Sequence, residues 1–462
     1  MLLSTGIIVA SVLASVLLGA PPFAEADDMG GALTQLDGED GCVATDSAEG
    51  CSVGRALDGP GRVAVSRNGK NVYVASVFSN GGVAVFSRDR ETGAITQLDG
   101  EDGCVNSGGA EDCAVGRALD GPRDLAISRD GKSIYIASVL SAGGVAVFSR
   151  DRATGVLTQL GGEDGCVNAA GAEGCAVARA LAGPRELAVD RRGRNVYVAS
   201  VSEGGGVGVF SRDRKTGVLT QLDGEDGYVN DDGAEGCAVA RALSGPGSVT
   251  LSRDGKSVYI ASQSGNAVAV FSRDRETGVL TQLDGEGGCI NDDGAEGCAV
   301  GRALDQPTSV TVSRDGRNVY VVSFNGDAVA VFSRDRKSGA LTQLDGEDGC
   351  VSTGGAEGCA VGRALDSPLG VTVSGDGRSV YVGSFDSNAV AVFSRDRKTG
   401  ALTQLDGEDG CVGNDGADGC AAGRALDGPV RADVSQHDKS VYVSSGRSNA
   451  VAVFTRNRSR RR

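Results

Sequence analysis

The amino-acid sequence predicts an all-β protein folded as a seven-bladed β-propeller with four antiparallel strands in each blade. One stretch recurs seven times, and its tripeptide Thr-Gln-Leu marks the copies at intervals of first 62 and later 61 residues. Each copy holds four short runs of strand-forming residues between turn signals, without a helical period. A fixed period of this size, built from four strands, is typical of propeller blades. The tripeptides begin at Thr34, Thr96, Thr158, Thr220, Thr281, Thr342 and Thr403.

The four strands are clearest in the first full repeat. Residues 62–66 form the first run, and the Asn-Gly pair at 68–69 favours a hairpin because it accepts the positive φ of a type I′ turn. Residues 72–76 and 82–87 form the second and third runs. After a further turn, residues 94–98 form the fourth. The repeat therefore reads as two successive hairpins.

The order of the strands predicts how the ring closes. The first three strands occur seven times, and the last set ends at residues 451–454. The fourth strand also occurs seven times, but its first copy, residues 32–36, precedes any first strand. We expect this N-terminal strand to complete the last blade beside residues 451–454, because closure removes the open edges of the sheets.

Most aromatic residues occupy two columns of the repeat, and we interpret both as packing residues between blades, whose sheets are buried on both faces. The tyrosine column is Tyr73, Tyr135, Tyr197, Tyr259, Tyr320, Tyr381 and Tyr442. The phenylalanine column is Phe86, Phe148, Phe210, Phe271, Phe332, Phe393 and Phe454.

Two short segments flank the predicted propeller of residues 27–455. Residues 1–26 are mostly apolar and end in the small-residue site Ala24-Glu25-Ala26, which predicts a signal peptide and a secreted or cell-envelope protein. An uncleaved membrane anchor is the alternative, because nearly twenty apolar residues are long enough to span a membrane. Residues 456–462 form a basic tail with five arginines.

Thirteen cysteines lie in acidic loops between the fourth strand of one repeat and the first strand of the next. A signal peptide with regularly spaced cysteine pairs predicts disulfides, within each loop or between neighbouring loops. One His and this spacing do not match a zinc site. Tyr228 replaces the first cysteine of the fourth loop, which leaves Cys237 as a free thiol. The pairs are Cys42–Cys51, Cys104–Cys113, Cys166–Cys175, Cys289–Cys298, Cys350–Cys359 and Cys411–Cys420.

The same loops concentrate carboxylates, and the formal net charge is −16. We interpret them as a solvated acidic surface without a metal or other cofactor, with Ca²⁺ as the alternative, because calcium prefers oxygen ligands. The charge argues against a nucleic-acid partner. In an up-and-down blade these loops share one face, and the Arg-Asp-Gly-Lys and Arg-Asp-Arg turns share the other.

One column of the repeat varies strongly and so breaks the symmetry of the seven copies. It lies two residues after the proline that opens each first strand. If that strand is innermost, the column forms a ring at the channel mouth on the acidic face, with a charged arc facing a neutral one. We expect the arc to bind a small anionic ligand, with Asp124 or Glu186 as the candidate catalytic base. Drift at exposed positions is the alternative. The ring is Arg62, Asp124, Glu186, Ser248, Ser309, Gly370 and Arg431, with Arg123 and Arg185 beside it.

Stretches such as Val-Ser-Arg-Asp-Gly-Lys-x-Val-Tyr and Ala-Val-Ala-Val-Phe-Ser-Arg-Asp resemble the lactonase-type β-propellers, a family that includes 6-phosphogluconolactonase-like proteins. The resemblance covers all seven repeats. It implies the propeller fold and a lactonase-like hydrolase at the channel mouth as one function. Fold alone does not settle function, so our first expectation is a monomeric propeller that binds a ligand or an extracellular protein through its acidic loop face.

Overall fold

The computed structural model describes residues 30–457, except 79–80, 141–142, 203–205 and 438. The predicted signal peptide and residues 458–462 of the basic tail lie outside this range. The described residues form seven sheets around a central channel, which confirms the predicted all-β, seven-bladed propeller. No helix in this part of the chain has the length and apolar character needed to cross a membrane.

Three long strands form the body of each blade and pair in antiparallel order from the channel outwards. The inner strands are Pro60–Val65, Pro122–Ile127, Pro184–Val189, Pro246–Leu251, Pro307–Val312, Pro368–Val373 and Pro429–Val434. The second strands are Asn71–Ser76, Ser133–Ser138, Asn195–Ser200, Ser257–Ser262, Asn318–Ser323, Ser379–Ser384 and Ser440–Ser445. The third strands are Val83–Arg88, Val145–Arg150, Val207–Arg212, Ala267–Arg273, Ala328–Arg334, Ala389–Arg395 and Ala450–Arg456.

The outer part of each blade differs from the prediction, since a blade contains six strands instead of four. The fourth strand covers only the end of the third strand, as in the pair Phe86 and Gln97. The chain then turns through a short 3₁₀ segment, and a cystine strand covers the beginning, as in the pair Val83 and Val105. A two- or three-residue rim strand follows, parallel to the cystine strand. These pieces are too short to have a readable sequence period.

The outer elements recur in every blade. The fourth strands are Leu33–Gln35, Ile95–Gln97, Leu157–Gln159, Leu219–Gln221, Leu280–Gln282, Leu341–Gln343 and Leu402–Gln404. The cystine strands are Cys42–Ala44, Cys104–Asn106, Cys166–Asn168, Tyr228–Asn230, Cys289–Asn291, Cys350–Thr353 and Cys411–Gly413. The rim strands are Ser52–Val53, Ala114–Val115, Ala176–Val177, Ala238–Val239, Ala299–Val300, Ala360–Gly362 and Ala421–Ala422.

Two 3₁₀ segments flank each cystine strand. The segments before it are Gly38–Gly41, Gly100–Gly103, Gly162–Gly165, Gly224–Gly227, Gly285–Gly288, Gly346–Gly349 and Gly407–Gly410. The segments after it are Ala48–Gly50, Ala110–Asp112, Ala172–Gly174, Ala234–Gly236, Ala295–Gly297, Ala356–Gly358 and Ala417–Gly419.

The ring closes as predicted, because the N-terminal strand completes the seventh blade. Leu33–Gln35 pairs antiparallel with the end of Ala450–Arg456, and Cys42–Ala44 pairs with its beginning. Arg456 is part of this last strand and is buried. Its guanidinium contacts the Tyr381 hydroxyl and the Asp376 carboxylate of the sixth blade. The folded ring therefore extends through Arg456.

The aromatic columns do pack between blades, but the tyrosines also make a polar connection. All seven tyrosine rings of the column are fully buried. Tyr320 of the fifth blade donates its hydroxyl proton to the Gly400 carbonyl of the sixth, at 2.8 Å. Arg395 of the sixth blade donates its Nε–H to the same hydroxyl, at 2.6 Å, and also contacts Asp315 of the fifth. The Arg395 guanidinium is thus hydrogen-bonded and paired with a carboxylate, which makes its burial tolerable. Arg212, Arg273, Arg334 and Arg456 form equivalent ion pairs, whereas buried Arg150 has hydrogen bonds instead, to Tyr73, Asn71 and Gly131.

All six predicted disulfides are present within their own loops, each linking residues nine positions apart. Cys237 is a free, buried thiol, also as predicted. Its Sγ contacts the Asn230 side-chain carbonyl, and Tyr228 fills the space of the missing cysteine. Regular disulfides are typical of oxidising compartments, so they agree with an extracellular or periplasmic location.

Candidate functional site

The seven inner strands build the wall of the central channel, and a β-bulge at the start of each strand shapes it. The pairing register shifts between the opening proline and the second residue after it, as between Pro60 and Arg62. A bulge redirects local side chains. The bulge residue and the next residue consequently form two successive layers of the channel wall. The predicted ring residues form the second of these layers.

The second layer contains a cluster of four charged side chains, which we call the channel cluster: Arg62, Asp124, Glu186 and Arg431. Arg431 reaches across the channel from the seventh blade to the third. Its two terminal nitrogens each donate to one Glu186 carboxylate oxygen at 3.0 Å. One of them also donates to the Ser309 hydroxyl of the fifth blade at 3.0 Å. Arg431 therefore connects the predicted charged arc to the predicted neutral arc, because it contacts Glu186 in the first and Ser309 in the second.

The other half of the channel cluster joins the first two blades. The Arg62 Nε lies 3.4 Å from Asp124 Oδ1, and the Arg431 Nη1 lies 3.9 Å from the same oxygen. The other Asp124 oxygen accepts the Leu187 backbone N–H at 2.9 Å. Both carboxylates of the cluster thus have cationic partners. Asp124 also links the inner strand of the second blade to that of the third through its hydrogen bond with Leu187.

The surroundings move the pKa values of the two carboxyl groups in opposite directions. Burial raises the pKa of Asp124 above its ordinary value, although Arg62 opposes this effect. Burial also acts to raise the pKa of Glu186, but the Arg431 guanidinium, together with Arg62 and the Ser248 hydroxyl, leaves that pKa lowered. Asp433, which follows Arg431 by two residues, likewise has a pKa raised by burial. Its carboxylate accepts the Val65 backbone N–H at 2.8 Å.

The channel is open on the opposite side from the one predicted. Towards the cystine loops, the described residues enclose a small space of about 30 Å³ beside the cluster. Towards the Arg-Asp-Gly-Lys turns, a cavity of about 750 Å³ opens to solvent. Arg62, Glu186, Arg431 and Asp433 border the closed end of this cavity. The described cavity therefore opens on the face of these turns, and the mouth expected on the acidic face stays a prediction.

The remaining predicted residues lie on the narrow side. Arg123 and Arg185 are bulge residues that line the 30 Å³ space together with Asp124. Arg185 donates to the Gln263 side-chain carbonyl at 2.7 Å. Burial first and the nearby Arg123 second lower the pKa of Arg185 to about 9. Of the six candidate residues, only Arg62, Glu186 and Arg431 border the large cavity, and their roles in binding or catalysis stay predictions.

Carboxylates of the cystine loops partly serve the fold. Glu357 of the fifth blade accepts the Ala303 backbone N–H at 2.7 Å, and Ala303 has a left-handed φ of 58°. The neighbouring Arg302 donates to backbone carbonyls of the same cystine loop, including Gly346 at 2.8 Å. Equivalent contacts join other blades. Among the described residues, no group of three or more acidic, Cys or His side chains is arranged to hold a metal ion.

Sequence reasoning missed the residues at the open end of the cavity. Five blades place an arginine there, directly after the inner strand and its following Ser or Asp, and we call these five residues the arginine ring. In the sixth and seventh blades the same position holds Gly375 and Gln436. The ring residues line the mouth of the 750 Å³ cavity. The sequence places these arginines in turns, and a column that is arginine in five of the seven repeats gives no sign of a binding site. The ring is Arg67, Arg129, Arg191, Arg253 and Arg314.

His437 follows Gln436 at this face and is exposed. It does not border the cavity, so the structure gives no geometric reason to treat it as a catalytic base.

Comparison with known proteins supports the resemblance found in the sequence. The family "Lactonase, 7-bladed beta-propeller" matches residues 54–170, which are about two of the seven repeats. No match was found among curated proteins.

Several solved structures share the fold at low sequence identity. The periplasmic gluconolactonase PpgL of Pseudomonas aeruginosa has a TM-score of 0.53 at 18% identity, covering 75% of this chain and 84% of its own. A proposed 6-phosphogluconolactonase from Bacteroides uniformis has a TM-score of 0.51 at 20% identity, covering 74% and 82%. The hydrazine synthase of Kuenenia stuttgartiensis reaches 0.51 at 15% identity, covering 88% and 98%. Since the last protein is named for a different activity, these similarities establish the fold and leave the activity open.

Proposed function

We propose that this protein is an extracytoplasmic binding protein that holds a small anionic ligand in its central channel. The observation that carries the proposal is the 750 Å³ cavity, which the channel cluster closes at one end. Volumes of several hundred Å³ suit small-molecule ligands. Two of the four groups at the closed end, Arg62 and Arg431, are cationic, and the mouth is ringed by further arginines. A ligand carrying negative charge is complementary to this wall.

Binding at the acidic loop face, the function first expected from the sequence, has weaker support. Several of its glutamates accept backbone N–H groups of the preceding blade, so their charge already has a structural partner. The space that the described residues enclose beside the channel cluster on that side is small, at about 30 Å³. The binding role itself is kept in our proposal, but the ligand enters from the opposite face.

A lactonase activity is the second candidate, because the fold is shared with lactonases and the pKa values of Asp124 and Glu186 move in opposite directions. Two carboxyl groups with pKa values shifted apart can serve as one general acid and one general base. Two contacts weigh against it. Both Glu186 oxygens accept hydrogen bonds from Arg431, which lowers the basicity of the carboxylate. Asp124, in turn, does not border the cavity where a substrate would lie. We therefore place binding first.

Titration calorimetry with acetate, phosphate and sugar phosphates tests the proposal, together with a hydrolysis assay on sugar lactones. We expect binding without turnover, and we expect Arg62→Gln to weaken binding by about tenfold or more, because it removes a charged hydrogen-bond donor at the closed end. The matched control is Arg90→Gln, an exposed arginine on an outer turn, which should bind like the parent.

Turnover of a lactone that Glu186→Gln abolishes would establish the second candidate instead. If none of these anions binds, the proposal is wrong.

A further inference from the structure

We propose that the arginine ring is a second binding site, separate from the channel cluster and specific for an anion with several negative charges. This inference goes beyond the proposed function and does not depend on it. The ring and the cluster lie at opposite ends of the inner strands. Arg67 follows Arg62 by five positions, and a strand rises about 3.3 Å per residue, so roughly 16 Å lies between the two layers. A small ligand at the closed end would therefore not reach the ring.

Backbone contacts hold three of the five ring arginines in a head-to-tail order around the mouth. Arg191 donates to the Arg253 carbonyl at 3.3 Å, and Arg253 donates to the Arg314 carbonyl at 3.2 Å. Arg314 donates to the Gly375 carbonyl at 2.7 Å. Each of these guanidinium groups uses one terminal nitrogen for the next blade. The other nitrogens remain available to a ligand at the mouth, and the groups are positioned before it arrives.

The ring carries uncompensated charge at short range. Within the described part of the chain, no carboxylate lies within ion-pair distance of any of the five guanidinium groups. Burial first, and then repulsion from all four other ring members, lowers the pKa of Arg191 to about 10. Like charges arranged around a cavity focus a positive potential into it. An anion that contacts several ring members would relieve this repulsion.

The chemistry of the ring favours a multiply charged ligand over a monoanion. Guanidinium groups recognise phosphate and carboxylate oxygens through paired N–H donors. Five such groups face one opening, and Gly375 and Gln436 leave its sixth and seventh positions uncharged. One singly charged group can satisfy only one or two arginines. An oligophosphate or a polycarboxylate can contact more of them at once.

Titration calorimetry with orthophosphate, pyrophosphate and tripolyphosphate at one fixed ionic strength tests this inference. We expect the affinity to rise with the number of charges, and tripolyphosphate to bind at least about tenfold more tightly than orthophosphate. The triple variant Arg129→Gln/Arg191→Gln/Arg253→Gln should weaken tripolyphosphate by about 100-fold or more. Glutamine already stands in this position in the seventh blade, so the variant should fold, which its thermal unfolding will check.

The matched control is the triple variant Arg90→Gln/Arg275→Gln/Arg336→Gln. It removes the same charge from exposed outer turns of the same face, and we expect it to bind tripolyphosphate like the parent. Gln436→Arg adds a sixth cation to the ring and should tighten tripolyphosphate by about tenfold.

Three outcomes would overturn the inference: equal affinity for the three phosphates, equal loss in the two triple variants, or no gain with Gln436→Arg. Arg62→Gln separates this result from the proposed function. It should weaken acetate and orthophosphate at the closed end but leave tripolyphosphate at the ring unchanged. Weaker tripolyphosphate binding in Arg62→Gln would show that the two layers are one site and would also overturn the inference.

Discussion

The ion pair between Arg431 and Glu186 should be strongly coupled, and a double-mutant cycle can measure the coupling. Arg431→Met removes three hydrogen bonds of 3.0 Å, two to Glu186 and one to Ser309. It also leaves the Glu186 carboxylate in a confined site without its main cation. Breaking one partner of a buried ion pair costs about 3–5 kcal/mol of unfolding free energy. We expect Arg431→Met to lose an amount in this range.

The double variant Glu186→Gln/Arg431→Met should lose less than the sum of its single variants, because no unpaired charge remains. A coupling energy of about 2 kcal/mol or more is expected for residues in one hydrogen-bond network. Urea unfolding at pH 7, followed by tyrosine fluorescence, measures the four free energies. Additive losses, within about 0.5 kcal/mol, would refute the assignment of this pair as the closure of the channel.

The same cycle predicts a change in pH dependence. In the parent, the pKa of Glu186 is lowered, so its contribution is complete above the ordinary carboxyl pKa and is lost as the pH falls through the lowered value. In Arg431→Met, burial remains without the cation, and the pKa of Glu186 should be raised. That variant should therefore regain stability relative to the parent between pH 7 and pH 5. An unchanged difference between the two proteins across this range would contradict the mechanism.

Three further predictions concern the disulfides, the interblade contacts and calcium. Tyr228→Cys should form a seventh disulfide with Cys237 and raise the unfolding free energy by about 2 kcal/mol, because it closes a ten-residue loop. Tyr228→Ser under the same oxidising conditions is the control. Detection of two reduced thiols in Tyr228→Cys by mass spectrometry would contradict this prediction. Tyr320→Phe should cost about 1–3 kcal/mol in urea unfolding, because it leaves Arg395 and a buried carbonyl with one partner fewer. Calcium at millimolar concentration should shift the melting temperature little, and a large shift reversed by EDTA would show a calcium site.

The ring of blades was predictable because the repeat fixes both its number and its closure. Only one arrangement uses seven first strands and a fourth strand that precedes them, and Leu33–Gln35 does pair with the last strand. The regular spacing of the cysteines predicted disulfides, but it left pairing within a loop and between neighbouring loops open, and the structure shows pairing within each loop. The cystine and rim strands were not predictable, because runs of two to four residues carry no period. Their pairing depends on the 3₁₀ turn that returns the chain to the third strand.

The channel cluster was found because its column breaks the symmetry of the repeat, but its position depends on side-chain reach. Arg431 spans the channel to Glu186, and no sequence pattern encodes that conformation. The bulge after each opening proline also moves Arg123 and Arg185 away from the cavity. The arginine ring was missed for the opposite reason. Its column is nearly constant, and a constant residue in a turn gives no sign that seven turns converge on one opening.

We expect an anion to enter the channel through the mouth opposite the cystine loops. The most direct measurement is the anomalous scattering of selenate soaked into crystals of the protein. We predict a selenium peak inside the 750 Å³ cavity, within hydrogen-bonding distance of the Arg62 or Arg431 guanidinium. Peaks confined to the cystine-loop face or to the outer rim of the blades, with an empty cavity, would contradict the claim.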